Sequence, residues 1–158
     1  MRKFLGSIFL TALALTASVP AHAQLQTEVA MDRAQLQSDY QNIVALNLGI
    51  SDEQGKTFWP LYREYRGEMQ KVGDKMVALV LDYAKNIETL TDAQSTKMLD
   101  DYLLIKKDEM KVKSAWVAKF RKALPPKAVT RLYQIENKLD AMIMFAAAVD
   151  VPLVQNAK

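Results

Sequence analysis

Between Ser51 and Leu90 the apolar residues Phe58, Tyr62, Tyr65, Met69, Val72, Met76, Leu79, Tyr83, Ile87 and Leu90 follow one another at intervals of 4, 3, 4, 3, 4, 3, 4, 4 and 3. Only a helix brings such a series onto one face. Its opposite face reads Lys56, Arg63, Arg66, Gly67, Gln70, Lys71, Asp74 and Lys85, a solvated set. At about 1.5 Å per residue the helix is roughly 55 Å long. A stripe of that length cannot be buried against itself, so partner helices are required.

The rest of the chain supplies them. A first helix is expected from about Glu28 to Leu46, with Val29, Leu36, Tyr40, Ile43 and Val44 on its apolar face and Gly49 as a left-handed terminator. Ser51-Asp52-Glu53-Gln54 is a capping box that starts the long helix, and Thr91-Asp92-Ala93-Gln94 starts the next in the same way. Pro60 lies too deep to be a first-turn proline and predicts a kink or a short broken first segment. The third helix carries Met98, Leu99, Tyr102, Leu103, Ile105, Met110, Trp116, Val117, Phe120 and Leu124, with Lys106, Glu109 and Lys113 interrupting the stripe. Pro125-Pro126 ends it, and Pro126 suits the first turn of a fourth helix. From Ala141 to Val149 every residue of that helix is apolar, the pattern of a segment buried on all sides or held in an interface. The expected fold is all-α: an elongated antiparallel four-helix arrangement built on a long helical hairpin, in one domain.

Residues 1–23 are set apart. Arg2 and Lys3 precede an apolar run from Phe4 to Val19, and Ala21-His22-Ala23 forms an A-x-A cleavage site. This is the pattern of a signal peptide, so the mature chain is expected to be 24–158 and periplasmic or secreted, with no integral membrane segment after cleavage. Its removal leaves nineteen basic against eighteen acidic residues, and the charge falls from +3 to +1. The basic balance of the whole chain therefore does not point to nucleic acid. Cleavage also removes His22, the one histidine, and the chain has no cysteine. The usual general base, the thiol nucleophile and the usual transition-metal ligands are then missing, and no metal or other cofactor is expected. Adjacent carboxylates such as Asp100-Asp101 and Asp108-Glu109 point about 100° apart on a helix and make no acid–base pair. Nucleotide-binding and hydrolase motifs are absent from the sequence, and a non-enzymatic protein is expected.

The two capping boxes also carry a resemblance. Leu90-Thr91-Asp92-Ala93-Gln94 fits the LTxxQ pattern of the Spy/CpxP family of periplasmic proteins, and Leu48-Gly49-Ile50-Ser51-Asp52-Glu53-Gln54 resembles a degenerate copy. The segment from Phe120 to Gln134 is similar to the family's second motif region, although Leu124 to Ala128 reads LPPKA rather than LTxxQ. The chain is most similar to a group of exported helical members of the same superfamily. They share the capping box, FWPLYREY (Phe58 to Tyr65), KFRKALPPKAVTRLYQIENKLDA (Lys119 to Ala141) and a VPLV-like end (Val151 to Val154). The resemblance implies an α-helical protein, often a cradle-shaped dimer, acting as an ATP-independent chaperone or envelope-stress modulator.

Candidate sites follow from the residues themselves. Nine basic residues against Asp108 and Glu109 give the stretch from Lys106 to Arg131 a local charge of +7, either a solvated helix end that complements the dipole or a surface that draws acidic segments. Trp59, off the main stripe, is the aromatic residue expected to be exposed or in an interface. For binding unfolded or folded envelope polypeptides the candidates are Trp59, Arg63, Arg66, Lys106, Lys113 and Arg121. Met142, Phe145 and Val149 stand for the apolar end of the fourth helix, as core, as membrane contact or as the interface of a homodimer. A dedicated adaptor for one envelope partner is the alternative to a general chaperone.

Overall fold

The computed structural model describes residue 35 and residues 38–154, with backbone alone for 146–150. The expected leader, including Ala21 and Ala23, lies outside the described residues, as does the expected start of the first helix. The chain divides into two compact units, 1–38 and 39–158, and the second carries the fold. It is all-α: four helices pack together, and no strand occurs among the described residues.

Helix α1 covers 38–48, two residues beyond its expected end. Gly49 follows at φ +66°, a left-handed position where a Cβ would be strained, and it turns the chain. Helix α2 then runs from Asp52–Asn86. Its capping box is complete: the Ser51 hydroxyl accepts from the Gln54 amide, and Gln54 Oε1 accepts from the Ser51 amide at 3.0 Å. Asp52 and Glu53 in the first turn add favourable charge at the positive end of the helix dipole.

Pro60 does not break this helix, so of the two expected alternatives, a kink or a short broken first segment, the second does not occur. The proline is exposed, so the carbonyl it leaves unpaired can turn to water. Phe58 and Tyr62, on either side, are anchored in the core and hold the turn in place. A 3-10 turn, Ile87–Thr89, closes α2. Thr91 and Gln94 repeat the capping box at the start of α3, Asp92–Ala123. Helix α4, Pro126–Asp150, begins on the proline that needs no amide partner.

Lys75 pairs with Asp108 and Glu68 with Trp116, so α2 and α3 run antiparallel as a long hairpin. Lys113 meets Asp140, and Phe120 lies 6.4 Å from Tyr133, which makes α4 antiparallel to α3. Tyr40 meets Asp140, and Arg131 bonds the Asn47 carbonyl, so α1 lies antiparallel along α4.

The core occupies one end of this arrangement. Val44, Leu48, Phe58, Tyr62, Tyr65, Trp116, Phe120, Leu124, Val129 and Leu132 form one buried cluster. Its rings interlock edge-on and tilted, with Tyr65 5.9 Å from Trp116 and 5.4 Å from Phe120. Such pairs add about 0.5–1.5 kcal/mol each beyond the area they bury. Beyond Val72 on α2 and before Ile105 on α3 the pattern changes. Between residues 73 and 104 no side chain is buried, although the apolar stripe continues through Met76, Leu79, Tyr83, Met98 and Tyr102. Among the described residues the hairpin thus ends in an arm whose apolar side chains are half-buried or exposed.

Candidate functional site

Two features qualify as sites: a polar clamp inside the core end and an apolar, charged surface on the arm.

The clamp centres on Glu136, a carboxylate only 2 % exposed. Tyr62 donates to its Oε1 at 2.6 Å, Tyr65 to its Oε2 at 3.3 Å, and the Arg66 guanidinium to Oε2 at 3.0 Å. Arg66 also stacks 3.9 Å from the centre of the Tyr40 ring. Tyr40 donates to Asp140 Oδ1 at 2.6 Å, and Lys113 donates to Asp140 Oδ2 and to Glu109 Oε1, each at 2.6 Å. Lys106 closes on the other oxygen of Glu109. One chain of ion pairs, hydrogen bonds and a cation–π contact therefore passes through all four helices.

Burial pushes the Glu136 carboxyl up, against the pull of Arg66 and the Tyr62 hydroxyl. For Arg66 burial works against the charge, but Glu136 and the surrounding tyrosines outweigh it and hold the guanidinium more firmly protonated than usual. The Arg66 Nε remains buried without a hydrogen-bond partner among the described residues. Closed off in this way, Glu136 can orient four helices but cannot meet a substrate unless the bundle opens.

Burial, followed by the neighbouring carboxylates, raises Tyr40, Tyr62 and Tyr65 far above the usual phenol range, and it raises Tyr133 to about 12. These folded values lie above the unfolded value. The stability they contribute is therefore complete below about pH 10 and is lost as pH rises through the folded values. We predict that stability falls above pH 10, by up to about 1.4 kcal/mol per pH unit for each of these tyrosines. Urea melts between pH 8 and 11, followed by tyrosinate absorbance, measure it. A flat profile would contradict the burial of these hydroxyls.

The structure redistributes the candidate residues. Arg66 is drawn inward rather than solvated, because its guanidinium both stacks over Tyr40 and meets the buried Glu136 carboxylate. Lys113, 14 % exposed, is held by Glu109 and Asp140. Trp59 is half-buried against Phe58 at 4.9 Å and Tyr62 at 5.8 Å, not exposed. Lys106 is half-buried and paired with Glu109. Arg63 and Arg121 are exposed, on different helices. Met142 and Phe145 are exposed, Phe145 by 74 %, so the end of α4 is not an intramolecular core at these two positions. The side chain of Val149 lies outside the described residues.

Glu136 and Asp140 were missed at the sequence level, although a signal existed. Val129, Leu132, Glu136, Leu139 and Ile143 are spaced 3, 4, 3 and 4, which puts Glu136 on the buried stripe of α4.

The second feature lies on α3. Leu99, Leu103 and Met110 are exposed by 59, 56 and 62 %. Their spacing, continued by half-buried Val117, sets them on one face turned away from the buried Ile105, Trp116 and Phe120. Exposed Lys107, Lys111 and Arg121 border that face. On the other side of the arm an open groove between α2 and α3 is lined by Leu79, Leu104, Asp82, Asp101, Asp108 and Lys75, with acid in excess.

Among the described residues no cluster of His, Cys, Asp or Glu could hold a metal ion, and no helix is long and apolar enough to cross a membrane. No family model, curated protein or solved structure matches this chain.

Proposed function

We propose that this chain is an exported, non-enzymatic polypeptide-binding protein, a chaperone or stress modulator of the kind that the Spy/CpxP resemblance implies. The observation that carries the reading is the arm. Between residues 73 and 104 none of its apolar side chains is buried, and Leu99, Leu103 and Met110 stand outward near the exposed Lys107 and Lys111. Outward apolar residues on a continuous helix, anchored at one end by a full aromatic core, are a binding surface rather than a packing fault. Apolar contacts supply affinity and the lysines raise the encounter rate. Arg66 and Lys113, spent inside the clamp, leave the set of binding candidates. Lys107 and Lys111 replace them, and Arg121 remains.

The test is the aggregation of a reduced, unfolding client protein with and without the chain. We predict suppression at near-stoichiometric ratios that weakens at least fivefold in Leu103→Glu/Met110→Glu. No suppression at a several-fold excess would overturn the general-chaperone reading. A second reading, a homodimeric adaptor for one partner, is favoured by the exposure of Met142 and Phe145. A pull-down that retains one partner, from a chain inactive on aggregating clients, would select it.

A further inference from the structure

We infer that the outward face of α3 is a docking seam for an acidic amphipathic helix of another protein; the inference rests on the polypeptide-binding reading and specifies its partner. The seam runs Leu99, Leu103, Met110, Val117, with steps of 4, 7 and 7 residues. Steps of seven keep Leu103, Met110 and Val117 on one line of the helix, as one apolar position of a heptad, and Lys106 and Lys113 take the alternate places of the stripe. From Leu99 to Val117 the seam is about 27 Å long, the length of a partner helix of some five turns. An extended segment, with its side chains alternating every ~3.3 Å, has no comparable register with it.

Charge selects the occupant. Along this face stand Asp100, Lys107, Lys111 and Arg121, three cations against one carboxylate. Lys107, Lys111 and Arg121 are exposed and form no direct salt bridge among the described residues, although Lys111 and Lys107 act at longer range on Asp108. Nearby cations are already consumed: Lys106 by Glu109, Lys113 by Glu109 and Asp140, and Lys119 over the Trp116 ring at 3.6 Å. The residual positive charge therefore sits along the seam itself. Beyond Lys107 and Lys111 the groove with Asp82, Asp101 and Asp108 repels the same partner, so an acidic helix is confined to the seam side of these lysines.

A second copy of the chain fits this seam poorly. An antiparallel pairing that covers Leu99 to Val117 has its two-fold axis near residue 108, and it brings Lys107 and Lys111 of one chain within a turn of those of the other. Like charges at that range oppose the pairing. An acidic partner meets the same lysines with opposite charge.

The test uses two fluorescein-labelled 21-residue peptides with identical leucine heptads, one flanked by Glu and one by Lys. Anisotropy titrations against the full chain should give at least tenfold tighter binding of the Glu peptide, lost in Leu103→Glu/Met110→Glu with the helix content unchanged by circular dichroism. Lys107→Glu/Lys111→Glu should reverse the preference in favour of the Lys peptide, a result that general stickiness does not produce. Equal binding of both peptides, or no binding by a folded chain, would overturn the proposal. So would a sedimentation shift to a dimer that Leu103→Glu/Met110→Glu abolishes. The aggregation assay separates the two failures. Client protection without Glu-peptide binding overturns the acidic-helix seam alone, and loss of both overturns the polypeptide-binding reading with it.

Discussion

Glu136→Ala is expected to lower the unfolding free energy by about 3–5 kcal/mol, the range for removing one partner of a buried ion pair. The loss has three sources. The Arg66 charge is left buried over Tyr40 with no carboxylate to meet it. The hydroxyls of Tyr62 and Tyr65 lose their acceptor inside the core. A cavity opens beside Tyr62 and Tyr65, although this is the smaller part for a side chain of glutamate size. The double variant Arg66→Met/Glu136→Leu should recover much of the loss, because it removes the stranded charge together with its partner and fills the space. Urea unfolding of the two single variants and the double completes the cycle. A single-variant loss below about 1 kcal/mol, typical of an exposed pair, would show that Glu136 is not held as described.

This clamp marks the boundary of what the sequence makes legible. The three later helices, both capping boxes, the left-handed Gly49 and the Pro126 start are local features, each governed by a few neighbouring residues, and the structure places them as expected. Arg66 is different. It follows Tyr65 and lies four residues after Tyr62, at the edge of the apolar stripe, where a long side chain can turn either to water or across a neighbouring helix. The choice was made by Glu136 and Tyr40, 70 and 26 residues away in the chain, and periodicity in α2 carries no information about them. Lys113 was decided in the same way by Asp140. Pro60 gives the converse lesson. Its local cost is real, but buried Phe58 and Tyr62 on adjacent turns hold the helix together across it.

The heptad stripe also does not reveal where packing stops. Tyr65 and Tyr83 occupy equivalent places in the pattern of α2, yet Tyr65 is 1 % exposed within an aromatic cluster, whereas Tyr83 is half-buried and reaches the Pro152 carbonyl at 2.9 Å. Near Tyr65 helices α1, α3 and α4 all contribute buried side chains, whereas between residues 73 and 104 no side chain is buried.

That asymmetry sets up the second large effect. Phe120→Ala is expected to lower stability by about 3–5 kcal/mol, as for other buried aromatic truncations. Phe120 is fully buried and touches the rings of Phe58, Tyr65, Trp116 and Tyr133, so its removal leaves a void bounded by rigid neighbours that cannot collapse into it. Leu79→Ala and Leu103→Ala, equally apolar truncations on the arm, are expected to change stability by no more than about 1 kcal/mol, because water already reaches these side chains and no closed cavity forms. Chemical denaturation of the three variants decides the point. If the arm variants lost as much as Phe120→Ala, the apolar residues of the arm would be needed to hold the fold and would not be available to a partner. A wide gap would mean that stability is concentrated in the core end. The arm would then hold a row of leucines and methionines that folding does not require, and binding would be the remaining physical reason to keep apolar side chains in water on the outer face of α3.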